Sequence, residues 1–187
     1  IYIFWDLVEA ADAKEIAAFI ENHVFDVAAR EDLAKPINEM DAVWVRRWKR
    51  TGYIWIIKSR LCGRGFLDRQ KHDVQRHSST ASRLSQRIVC SQRQLKRTKL
   101  VSLDIRNAFL KGLTFTELHR LARKFGIEMR DRRSVYMRPP ANVWRHLRNH
   151  PKSRIRIAAS LTHLYLLVLL KPMYGLVDAP LLWQLHL

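Results

Sequence analysis

The chain has 187 residues, enough for one domain with a real core or for a piece of something larger. Its 34 Lys and Arg side chains against 17 Asp and Glu give a formal net charge of +17, and a charge of that size points to a polyanionic partner rather than to any particular fold. Two cysteines, Cys62 and Cys90, fit neither a CxxC nor a Cys/His metal spacing, and nothing suggests a disulfide framework, so two buried thiols in a reducing compartment are expected.

The charge is unevenly spread. Residues 1–41 hold 3 basic and 10 acidic side chains, residues 42–99 hold 16 and 2, and residues 100–187 hold 15 and 5. The basic middle segment is interleaved with Trp44, Trp48, Tyr53 and Trp55, a composition suited to a phosphate backbone. The alternative for such a segment is a solvated basic face or a loosely ordered arm.

In chain order, "DAKEIAAFIENH" opens with a capping-box pattern, Asp12 to Glu15, and sets Ile16, Phe19 and Ile20 on one helical face. The N-terminal stretch is acidic and lacks the basic start of a signal peptide. After Pro36, "AVWVRRWKR" and "YIWIIKSRL" alternate around Thr51-Gly52 and predict a strand pair at 42–48 and 53–61. "SRLSQRIVCSQRQL" predicts a helix capped by Ser82 or Thr80, and "KLVSLDI" a strand at 99–105. "TFTELHRLARKFG" has a second capping box, Thr114 to Glu117, and Gly126 as its stop. "SVYM" reads as a short strand and "ANVWRHLRNH" as a helix after Pro139-Pro140. The apolar run "IAASLTHLYLLVLL", 157–170, is shorter than the roughly 20 residues a bilayer requires and reads as core. "YLLVLLKPMYGL" is a buried strand entering a turn, and "APLLWQLHL" a last helix with Pro180 in its first turn. The fold class is α+β, without a Rossmann or P-loop glycine pattern, internal repeats or low-complexity tracts.

Asp104 ends the predicted strand at 99–105, and Phe109 follows five residues later. A carboxylate at a strand end is a rigid place to supply an oxygen ligand to Mg²⁺, although a strand-end Asp also serves as a helix N-cap. His146 and His150 are spaced i, i+4, but no third ligand or HExxH pattern accompanies them. Nor do the Ser and His residues form a nucleophile elbow.

Five motifs in order give these residues a context: "IKSRLCGRGF" (57–66), "SSTASRLS" (78–85), "VSLDIRNAFLKG" (101–112), "VYMRPP" (135–140) and "LLKPMYGLVDAPLLW" (169–183). Together they resemble the reverse transcriptase of copia-type long-terminal-repeat retrotransposons, the RNA-directed DNA polymerase region of a Pol polyprotein, over about residues 15–187. The resemblance implies the fingers and part of the palm of a right-hand polymerase: an acidic helical region at 1–41, basic fingers at 42–98 and a partial palm at 99–187. It implies that Asp104 is the first metal-binding and catalytic aspartate, with Mg²⁺ as cofactor. Phe109 matches the aromatic gate against a ribose 2′-hydroxyl. Lys58 and Arg60 match the residues that approach the incoming deoxynucleoside triphosphate, and Tyr174 and Gly175 the loop that supports nucleotide and template. Implied partners are an RNA template, a DNA primer and the rest of the polyprotein, with no membrane, in the cytoplasm (in a virus-like particle) or the nucleus and not secreted.

The departures are specific. Where the family continues Leu-Lys-Gln-Ala-Pro-Arg, this chain has Leu176-Val177-Asp178-Ala179-Pro180-Leu181. An insertion carrying a helix near 114–125 separates "AFL" from "VYM". The aromatic-x-Asp-Asp element is absent from the sequence, which leaves one of the expected carboxylates, so two Mg²⁺ ions could not be held for in-line attack. The chain begins at Ile1 rather than Met and stops within an apolar pattern at Leu187. A fragment without polymerase activity of its own is therefore expected, and the alternative is a domesticated or unrelated basic nucleic-acid-binding protein in which Asp104 is structural.

Overall fold

The computed structural model describes residues 4–127 and 133–187; the part of the predicted insertion at 128–132 lies outside them. It is a mixed α+β structure built on one five-stranded sheet of order β1-β5-β4-β2-β3. The strands are β1 (Phe25–Ala29), β2 (Glu39–Thr51), β3 (Ile54–Gly63), β4 (Tyr136–Arg138) and β5 (Tyr165–Leu169), and the helices are α1 (Trp5–Glu21), α2 (Arg83–Lys96), α3 (Phe115–Lys124), α4 (Ala141–Asn149) and α5 (Ala179–Gln184). β2 pairs in parallel with β4, and the other neighbours are antiparallel.

The β2–β3 hairpin forms as the alternation predicts and runs longer, its register unbroken from Ala42↔Gly63 to Thr51↔Ile54. The two-residue connection Gly52-Tyr53 starts with Gly52 at φ +62°, the glycine conformation that lets a tight turn follow the twist of its strands. The hairpin is not a separate sheet, as a fingers–palm division leads one to expect. The first residues of β2, Glu39–Asp41, pair with β4 and join it to the rest.

α1 packs across β3 and against α4, burying Ile16 and Phe19. It begins at Trp5, not at Asp12, so the predicted Asp12–Glu15 capping box does not form. Asp12 is instead fully buried in the helix interior, accepting bonds from Arg46 Nε (3.1 Å), Arg46 Nη2 (2.7 Å) and Asn142 Nδ2 (3.0 Å). The capping box at Thr114–Glu117 does form: Glu117 N–H donates to Thr114 Oγ1 at 3.0 Å and Thr114 N–H to Glu117 Oε2 at 2.8 Å. Ser82 caps α2 more simply, its Oγ accepting from Ser85 N–H at 3.0 Å without the reciprocal bond.

Three further expectations fail. Residues 99–105 form no strand and lie exposed, with Leu103 at 85%. β5, the strand beside which residues 99–105 are expected, has β1 on one edge and β4 on the other, so the Val101/Leu103/Ile105 alternation has no free β5 edge to pair with. Cys62 is half-buried and Cys90, on α2, is exposed. The first half of the 157–170 run is a 3₁₀ turn, Ala159–Leu164, with no buried residue, and only its second half is core. No helix among the described residues is long and apolar enough to cross a membrane.

Candidate nucleic-acid interface

Two of the quoted motifs meet at the outer edge of β3. The Gly63 N–H donates to the Tyr174 carbonyl at 2.8 Å. A Cβ on Gly65 would stand 2.1 Å from the Gly175 carbonyl oxygen, and one on Gly175 would stand 2.0 Å from that of Gly63. Such an approach admits only glycine, and Gly175 also sits at φ +95°. The "CGRGF" and "MYGL" segments are thus locked backbone to backbone.

Around this junction the side chains converge. The Arg60 guanidinium lies 5.4 Å from the Tyr174 ring centroid, within cation–π range. Phe109 meets the same ring edge-on, 5.7 Å between centroids and 64° between planes. Glu15 reaches the site from α1, 8% exposed. Its burial pushes the carboxyl above its ordinary range, against the opposing pull of the Leu61 backbone bond and the Arg60 and Lys58 charges. Burial and the nearby Glu15 also raise the Tyr174 phenol and the Cys62 thiol.

Of the predicted positions, Arg60, Phe109, Tyr174 and Gly175 adjoin one another here, and Lys58 lies along the same strand. Asp104 does not stand on a sheet edge. It belongs to the exposed irregular stretch before Asn107, which turns with φ +55° into the 3₁₀ segment Ala108–Lys111. That segment buries Leu110 and carries Phe109 into place, so the motif is anchored by its second half alone. The donor set does not fit Mg²⁺. Among the described residues no three His, Cys, Asp or Glu side chains converge, and one exposed carboxylate leaves the ion most of its water.

The hairpin presents its two faces differently. Residues opposite each other across a ladder share a face, so Arg47, Lys49, Lys58 and Arg60 line one side, with Arg47 directly opposite Lys58; all four are exposed. Like charges set opposite each other repel, and a phosphate between them would relieve that repulsion. On the other face Arg46 is neutralised by Asp12 and lies 5.3 Å from the Trp44 ring centroid. Trp44 Nε1 donates to Asn142 at 2.9 Å. That face is structural.

A buried ion network is not evident from the sequence. Arg133, 3% exposed at its side chain, reaches Asp68 at 2.7 Å and Asp178 at 2.9 Å. Burial opposes the Asp68 charge, yet bonds from Arg133 and Asn38 hold its carboxyl below the ordinary range. Burial likewise opposes the Arg133 charge, which the two carboxylates hold in place. The one signal in the sequence was Asp178, an acidic residue where the motif carries a polar amide. No family profile, characterised protein or solved structure matches the chain.

Proposed function

We propose that the chain is the fingers and partial palm of a copia-type reverse transcriptase. On this reading it binds nucleic acid through the Arg47/Lys49/Lys58/Arg60 face of the hairpin and catalyses no polymerisation alone. The observation that carries the reading is the junction where Arg60, Phe109, Tyr174 and Gly175 meet. Positions that the motif order assigns to one nucleotide site are neighbours, although they come from three separate segments. An incoming triphosphate would lie along Lys58 and Arg60, with Phe109 and Tyr174 pressing on its sugar and base. RNA template and DNA primer are the proposed partners, and Mg²⁺ chemistry would need carboxylates this chain does not bring together.

A second reading has its own observation. Asp104 is exposed and off the sheet, as in a basic nucleic-acid-binding protein that has no catalytic function. The experiment separates the two. The purified chain should bind single-stranded and duplex nucleic acid with little sequence preference, and binding should weaken steeply with salt as counterions are released. Lys58→Glu with Arg60→Glu should flatten that slope. Neither reading predicts primer extension by the chain alone. Under the polymerase reading, a covalently appended palm segment bearing an aromatic-x-Asp-Asp element should confer extension that Asp104→Asn abolishes. Failure of that fusion with binding intact would favour the second reading, and salt-independent binding would sink both.

A further inference from the structure

The outer edge of β3 is guarded at one end and open at the other. In an antiparallel ladder, alternate residues turn their backbone groups inward and outward. Thr51↔Ile54 closes the two-residue turn, a hydrogen-bonded pair in hairpins of this length, so even-numbered β3 residues bond to β2 and odd-numbered ones face out. One contact agrees: Gly63 N–H donates outward to the Tyr174 carbonyl, and the buried Glu15 carboxylate lies beside the Leu61 backbone, which favours its charge. Past Leu61 the guard ends. Among the described residues no backbone partner from outside the hairpin meets Trp55 or Ile57.

The segment bearing these groups is Ile54-Trp55-Ile56-Ile57, with Ile54 69%, Trp55 58% and Ile56 42% exposed. β-branched and aromatic residues suit strands, and an unpaired edge made of them is a template for another strand. Within the stretch itself the devices that blunt such edges are missing: it has no Pro and no charged residue, the first beyond it being Lys58, and the register shows no bulge.

We infer that this edge pairs with the same edge of a second copy of the chain, antiparallel about a two-fold axis through Trp55. The sequence is complementary to itself in that register. Trp55 falls opposite Trp55 of the second copy, exchanging both outward bonds. Ile54 falls opposite Ile56, Ile57 opposite Tyr53, and Lys58 opposite the Gly52 turn, so no like charges face each other across the new ladder. Two hairpins become one four-stranded ribbon, closed by symmetry so that it does not extend into a fibre. The like net charges of the two copies, +17 each, resist this contact at long range, and salt screens them. Self-association should therefore strengthen with salt, whereas nucleic-acid binding weakens with it. The inference does not depend on the polymerase reading.

Sedimentation equilibrium of the full chain after nuclease treatment is the test. A monomer–dimer equilibrium is expected, with the dimer fraction rising between low and moderate salt. Ile57→Pro removes an outward N–H that β2 does not use, and should give a monomer. Ile54→Lys with Ile56→Lys changes only exposed side chains and should do the same, with the circular dichroism spectrum unchanged. A wild-type monomer at every salt and protein concentration would overturn the inference. So would a dimer that survives the double-lysine change, or one lost on nuclease treatment.

Discussion

At the scale of single residues, the decisive contacts are buried charges. Arg133 has Asp68 and Asp178 around it, while its Nη1 has no partner. Removing one carboxylate leaves the cation under-compensated in a place water does not reach. Asp178→Ala should lower the unfolding free energy by about 3 kcal/mol or more, measured by urea titration, and Asp178→Asn should cost less because it keeps the volume and an acceptor. Glu15 behaves in the opposite sense. Its pKa is raised in the folded state, so its contribution is most favourable below the ordinary carboxylate range and is lost as pH rises through the raised value. Glu15→Gln keeps the acceptor for the Leu61 backbone without the charge. It should raise the melting temperature at neutral pH, with the gain shrinking towards pH 4, where both chains are neutral at this position; a gain that grew on acidification would contradict this.

At the scale of elements, the sequence is legible wherever a local rule decides the outcome. The Ser82 and Thr114 caps and the β2–β3 alternation each depend on residues within a few positions, and each forms as read. Misreadings arise where a distant partner decides. Asp12 has the spacing of a cap, but Arg46 and Asn142 draw it into the interior. Residues 99–105 alternate like a strand, but both edges of β5 are taken. The site follows the same division: Arg60, Tyr174 and Gly175 come together through two short, glycine-dependent segments and Phe109 joins them from the 3₁₀ segment, whereas the strand expected to carry Asp104 does not form. The glycine junction gives the prediction for this scale. Gly175→Ala places a methyl group against the Gly63 carbonyl at a positive φ, a conformation that costs on the order of 1–3 kcal/mol for other residues. The variant should melt earlier and weaken the proposed nucleotide contact together, because Tyr174 moves with its neighbour. Unchanged stability would mean the backbone can part there freely.

At the scale of the whole molecule, the sheet is assembled from strands far apart in sequence. β1, β2 and β3 precede residue 64, β4 and β5 follow residue 135, and they alternate across the sheet so that β4 and β5 lie between β1 and β2. The Asp68–Arg133–Asp178 network spans the same divide. Charge is partitioned as well. The acidic residues of the N-terminal helix serve largely as internal partners, Asp12 for Arg46 and Glu9 for Arg145 at 2.5 Å, whereas the basic excess of the hairpin and α2 is left facing solvent.

The interleaving has a practical corollary for the stretch that crosses it. Residues 79–106 are exposed throughout, and α2 buries none of its side chains, yet the stretch carries Arg83, Arg87, Arg93, Lys96, Arg97 and Lys99. Trypsin should sever it before any other part of the chain. The two pieces should then remain together as a nicked, non-covalent pair through the shared sheet and ion network, eluting as one species in native gel filtration and separating only in denaturant. Co-expressed as independent halves joined nowhere between β3 and β4, they should find each other and restore nucleic-acid binding. Loss of the sheet signature on the first cut would mean that the connecting stretch holds the fold, rather than merely linking its halves.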